Sequence, residues 1–93
     1  RKRHTHAYLK TAPLDVRIVS CADKLHNLRT MTADYEELGE DLWRRFNRGR
    51  EKQKWYFEGL VEVLCGRDDI PEDMHLFDDF EANVKRLFGD GKT

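Results

Sequence analysis

Apolar residues along this chain recur at steps of three and four, and no stretch alternates strictly with a step of two, so the pattern predicts helix throughout. Arg1 to Lys10 reads as a first, strongly basic helix that stops near Thr11-Ala12-Pro13. Pro13 suits the first turn of the next helix, where Asp15 complements the positive helix end. That second helix is expected from about Leu14 to Leu38, with Leu14, Ile18, Cys21, Leu25 and Leu28 as its packed stripe. Gly39 interrupts it, and Glu40 to Phe46 forms a short helix using Leu42, Trp43 and Phe46 before a turn at Asn47-Arg48-Gly49. Arg50 to Leu64 follows with Phe57, Leu60, Val61 and Leu64 on one side, ended by Gly66. Gly59 inside it is a poor helix former. After a polar connector, Arg67 to Pro71, Asp73 is placed to cap a last helix carrying Phe77, Phe80, Val84 and Leu87. Residues 1–88 therefore predict one all-α helical bundle, and Gly89 to Thr93 a loose tail.

The second helix also carries a polar strip. Asp23, Asn27, Thr30 and Asp34 follow at steps of four, three and four, so they project from one side over about three turns. The carboxylates accept hydrogen bonds, while the amide and hydroxyl both donate and accept. Such a strip suits a metal at one end and a polar ligand beyond it. It equally suits a solvated helix face with Asp23 paired to a neighbouring cation, and spacing alone favours this plainer reading. Val16 and Val19 weigh against it, because they lie on the Asp23 side and imply a cover that would place the carboxylate in partly desolvated surroundings.

The run Val16-Arg17-Ile18-Val19-Ser20-Cys21-Ala22-Asp23-Lys24-Leu25-His26-Asn27-Leu28-Arg29-Thr30 resembles the A-D-[KR]-L-H-N-x-R helix of HD-type metal-dependent phosphohydrolases. It is most similar to the hydrolase domain of RelA/SpoT-like enzymes and their small stand-alone relatives. Leu42 to Asn47 and Lys54 to Phe57 resemble the LW-x-RFN and WYY stretches of the stand-alone group, and Arg1-Lys2-Arg3 and Leu9 to Pro13 also fit it. The likeness covers residues 1 to about 65. It implies that the chain is the C-terminal portion of an HD-domain fold. The whole domain would hydrolyse the 3′-pyrophosphate of ppGpp or pppGpp with one divalent metal, typically Mn²⁺, which activates a bound water and polarises the phosphoryl group. In that family a His, a His-Asp pair and a later Asp hold the metal. Asp23 matches the later Asp, Asn27 the Asn beside the bound nucleotide, and Thr30 lines the same pocket.

The departure is as informative as the match. No His-Asp dipeptide occurs, so the acidic pair that follows it in the family has no counterpart; Glu40-Asp41 and Glu72-Asp73 fall after the Asp23 helix. No catalytic residue is assigned within the chain. His4 and His6, two apart, point to different sides of their helix and are expected solvated or bonded to backbone. His26 is expected to pack, and His75 to lie on a surface. One carboxylate does not hold a catalytic metal, so the chain by itself is expected to be inactive.

Composition narrows the classes. Ninety-three residues with 17 basic and 18 acidic side chains give no global pull toward nucleic acid or anionic membrane. No apolar run approaches the ~20 residues of a bilayer span. Cys21 and Cys65 form no Cys-x-x-Cys pair, and buried thiols in a cytoplasmic protein are the expectation. The basic clusters Arg1-Lys2-Arg3 and Arg44 to Arg50 suit a nucleic-acid patch or a phosphate funnel for a nucleotide, but acidic runs balance them and favour a solvated face. The rival to the enzyme reading is a non-catalytic helical interaction or oligomerisation module. The apolar surface near Val16 and Val19 would then be buried by self-association.

Overall fold

The computed structural model describes residues 2–46 and 48–89, with side chains from His4 onward. Arg1 of the basic start, Asn47 of the predicted turn and residues 90–93 of the predicted tail lie outside the described residues. Four α-helices and one 3₁₀ segment follow in order: α1 Lys2–Lys10, α2 Leu14–Leu38, the 3₁₀ segment Gly39–Arg45, α3 Gly49–Leu64 and α4 Leu76–Phe88. The described residues contain no strand, so the all-α reading holds, and α2 has the predicted limits.

Each element starts or stops for a local reason. Pro13 sits extended at the head of α2, where its missing N–H is no loss. Gly39 ends that helix with φ of +60°, a conformation costly for residues with a Cβ, while its N–H still bonds to the Tyr35 carbonyl. The short helix predicted over Glu40–Phe46 is a 3₁₀ segment one residue earlier, and Phe46 has already turned extended. Asp73 does not cap α4. Pro71 to Met74 closes its own turn, Met74 N–H to Pro71 carbonyl at 3.1 Å, and the helix begins at Leu76 with no side-chain cap.

The core forms where α4 packs against both α2 and α3. Phe77, Phe80, Val84, Leu87 and Phe88 of α4 are buried, facing Cys21, Leu25 and Leu28 of α2 and Phe57, Leu60 and Leu64 of α3. Burying each large apolar side chain contributes ~1.5–3 kcal/mol. Trp43 of the 3₁₀ segment closes one end, with ring centroids 5.6 Å from Phe88 and 5.8 Å from Tyr35. Its indole N–H is buried without a partner among the described residues, at a cost of ~1–3 kcal/mol.

Arg17 falls in register with the apolar stripe of α2 and is fully buried. Its Nη1 donates to both Asp69 carboxylate oxygens, at 3.0 and 2.8 Å, and Nη2 donates to the Leu64 carbonyl at 3.2 Å. The guanidinium lies 5.6 Å from the centre of the Phe77 ring. One side chain thus joins α2 to the end of α3, the connector and the first turn of α4.

The first helix packs on α3 instead of on the valine face of α2. His6 donates from Nε2 to the Tyr56 carbonyl at 2.9 Å and stacks on Tyr56, 5.4 Å between centroids, so it is backbone-bonded as expected. Arg67 adds a tie from its Nη1 to the Lys10 carbonyl at 2.9 Å. Gly59 now has a reason: a Cβ there would overlap the His6 ring. Replacing Gly59 by Ala should therefore destabilise the chain, although an unhindered helical position would gain ~1 kcal/mol from the change. In a His6→Ala background the same substitution should become neutral or stabilising. Thermal unfolding of the four variants measures this coupling, and additive effects would refute it.

Candidate functional site

The polar strip of α2 runs along an open side of the bundle. Asp23 is not desolvated as the two valines suggested: its side chain is 66% exposed, and its nearest cation is its own neighbour, Lys24 Nζ, at 3.7 Å. The physical reason is the placement of α1. With that helix on α3, Val16 is only half-buried and Val19 is 71% exposed, so nothing described covers the Asp23 side. Asp34, at the far end of the strip, is tied to Arg45 at 3.3 Å. Asn27 is exposed. Thr30 is exposed too, and its hydroxyl donates to the His26 carbonyl at 3.1 Å, leaving the oxygen able to accept.

Two concavities flank this strip. The first is a cleft of mixed lining, about 580 Å³, between α2 and the beginning of α3. Asn27 and Thr30 both line it, so the structure brings these two predicted binding residues together; Asp23 is not among its lining residues. Lys24 and His26 also line it from α2, and Gln53 and Tyr56 from α3. His26 is exposed and turned to this cleft instead of packing in the core as expected, because Leu25 and Leu28 already occupy the buried stripe.

The second is an open groove of about 750 Å³ between α1 and α2, floored by Tyr8, Leu9, Val16 and Val19. Tyr8 is 63% exposed. This is the apolar surface expected around Val16 and Val19, enlarged by a tyrosine that the sequence pattern did not single out. Lys24 lines both concavities and so stands at their junction, beside Asp23.

The remaining candidates separate cleanly. His4 is exposed on the groove, and His75 is exposed with a weak contact to Asp78 at 3.9 Å. Among the described residues no three His, Cys, Asp or Glu side chains converge to hold a metal ion. Asp23 is thus not part of any such cluster among the described residues. Cys21 is buried and Cys65 half-buried, both free. Burial pushes each thiol up to about 12, so neither is a nucleophile near neutral pH. The basic cluster is largely engaged internally: Arg44 meets Asp41 at 3.7 Å, Arg45 meets Asp34, and Arg50 donates to the Phe88 carbonyl at 3.1 Å. That leaves little of it to follow a phosphate backbone.

Sequence reasoning missed Lys24, Gln53 and Tyr56 as cleft residues. Lys24 adjoins Asp23, so a carboxylate and an ammonium one step apart were a readable signal. Gln53 and Tyr56 share a face of α3 three residues apart, but their nearness to α2 depends on packing. A comparison with protein-family models gives no match for this chain, and a comparison with curated proteins gives none. No helix among the described residues is long and apolar enough to cross a membrane.

Proposed function

We propose that this chain is the C-terminal portion of an HD-type metal-dependent phosphohydrolase domain that hydrolyses the 3′-pyrophosphate of (p)ppGpp or a related nucleotide. The observation that carries the reading is the order of groups along one face of α2. An open carboxylate, Asp23, is followed by Asn27 and Thr30 on the wall of a cleft of nucleotide size. Seven residues separate Asp23 from Thr30, about 10 Å along the helix axis, enough to place a phosphate group at one end and a nucleoside at the other. Asp23 contributes one ligand to a divalent metal, Mn²⁺ by the resemblance of the α2 motif, and the His and His-Asp ligands are supplied from elsewhere. Lys24 attracts the substrate's phosphates, and Asn27 and Thr30 hold the nucleotide. Two free thiols, Cys21 buried and Cys65 half-buried, accord with a cytoplasmic setting.

By itself the chain should release no pyrophosphate from ppGpp with Mn²⁺. Combined with a polypeptide that supplies the missing His and His-Asp segment of such a domain, it should do so. Asp23→Ala in that assembly should lower turnover by more than about 100-fold, beyond what loss of an outer-shell partner costs. Turnover indifferent to Asp23, or one tight Mn²⁺ site in the isolated chain by calorimetry, would contradict the assignment.

A second reading, a non-catalytic oligomerisation module, is favoured by the groove between α1 and α2. Exposed Tyr8 and Val19 side by side form the kind of apolar surface that a second copy of the chain would cover. On this reading the mass seen by light scattering rises with concentration, and Val19→Glu returns it to that of a monomer. A constant monomer mass for the unchanged chain rejects it.

A further inference from the structure

The cleft beside Asn27 and Thr30 has a second wall, on α3, to which the resemblance assigns nothing. We propose that Gln53 on that wall is a substrate-binding residue whose carboxamide pairs with the edge of the nucleotide's purine base; this rests on the nucleotide reading given above. Gln53 is half-buried and lines the same cleft as Asn27, so two carboxamides border one cavity from two different helices. A carboxamide presents a donor and an acceptor side by side, the pairing that a purine edge offers in return. Neither carboxamide has a hydrogen-bond partner among the described residues, so binding a base costs no internal bond.

The rest of the cleft agrees with a flat, partly apolar ligand. Met31 and Phe46, both half-buried, and the buried Phe57 give it apolar lining beside the two amides. Lys24 adds a cation at the end nearer Asp23, where phosphates would lie. A ligand of sugar and phosphate alone would use Lys24 and leave the amides and rings uncontacted. A purine nucleotide uses both.

The test is binding to the chain as it stands, with GDP, ADP and ribose 5-phosphate as probes, followed by amide chemical shifts and calorimetry. The two purine nucleotides should bind at least about tenfold more tightly than ribose 5-phosphate, within what one well-made amide–base pair supplies. Gln53→Leu should remove that advantage and leave ribose 5-phosphate binding unchanged. Gln53→Glu, which keeps the shape but lacks the amide donors, should reduce it as well, with helix content by circular dichroism equal to that of the parent chain. A purine advantage that survives both substitutions overturns the role of Gln53 while leaving the nucleotide reading in place. Absence of shifts at Asn27 and Thr30 with any of the three probes overturns both.

Discussion

The fold turns on a buried guanidinium. A charged group inside an apolar bundle is tolerable only when its donors are met, and a guanidinium has five of them. Arg17 meets this demand by drawing three separate parts of the chain to itself: the last carbonyl of α3, the Asp69 carboxylate of the connector and the Phe77 ring of α4. Its Nε stays without a partner among the described residues, so the arrangement is not fully satisfied. Replacing such a pair by apolar residues is often neutral for stability, so its value here lies in specifying which groups meet. Asp69 sits at the surface end of the contact, and the Arg17 hydrogen bonds hold its carboxyl below the usual carboxylate range.

That clamp determines what α2 can offer. Held from behind by Arg17, Cys21, Leu25 and Leu28, the helix presents its opposite side, with Val19, Asp23 and Asn27, outward. The first helix does not cover this side, because His6 and Arg67 fasten it along α3. The result is a strip with an apolar groove on one flank and a cleft of mixed polar and apolar lining on the other, and Lys24 between them. A lone exposed carboxylate beside a cation is a poor metal site and a reasonable part of a larger one. Both proposed readings, the phosphohydrolase and the oligomerisation module, draw on this one open face of α2.

Much of the architecture was legible because helix periodicity is a local property. The stripe from Leu14 to Leu28, the break at Gly39 and the face carrying Phe77, Phe80, Val84 and Leu87 all follow from spacing. Arg17 was overlooked although it stands four residues before Cys21 on the same stripe; its partner Asp69 lies in a connector whose polarity looked unremarkable. Asp73 has the residue type of a helix cap, but the turn from Pro71 to Met74 takes it up before α4 begins at Leu76. Gly59 became intelligible only with His6 against it. At the site, the register of Asp23, Asn27 and Thr30 was readable, whereas the exposure of Asp23 depended on where α1 docks. The α3 wall with Gln53 depended on how two distant helices meet, which no local pattern encodes.

The clamp is most directly tested by comparing the thermal stability of the parent chain with that of Asp69→Asn across pH. A carboxyl whose folded value is lowered stabilises the fold above its unfolded value and loses that contribution as pH falls through the folded one. The parent should therefore unfold at a higher temperature than the variant at neutral pH, with the gap shrinking as pH falls below about 4, the ordinary range of an aspartate. A gap that does not change with pH, or no gap at neutral pH, would mean that Arg17 does not organise the bundle through Asp69.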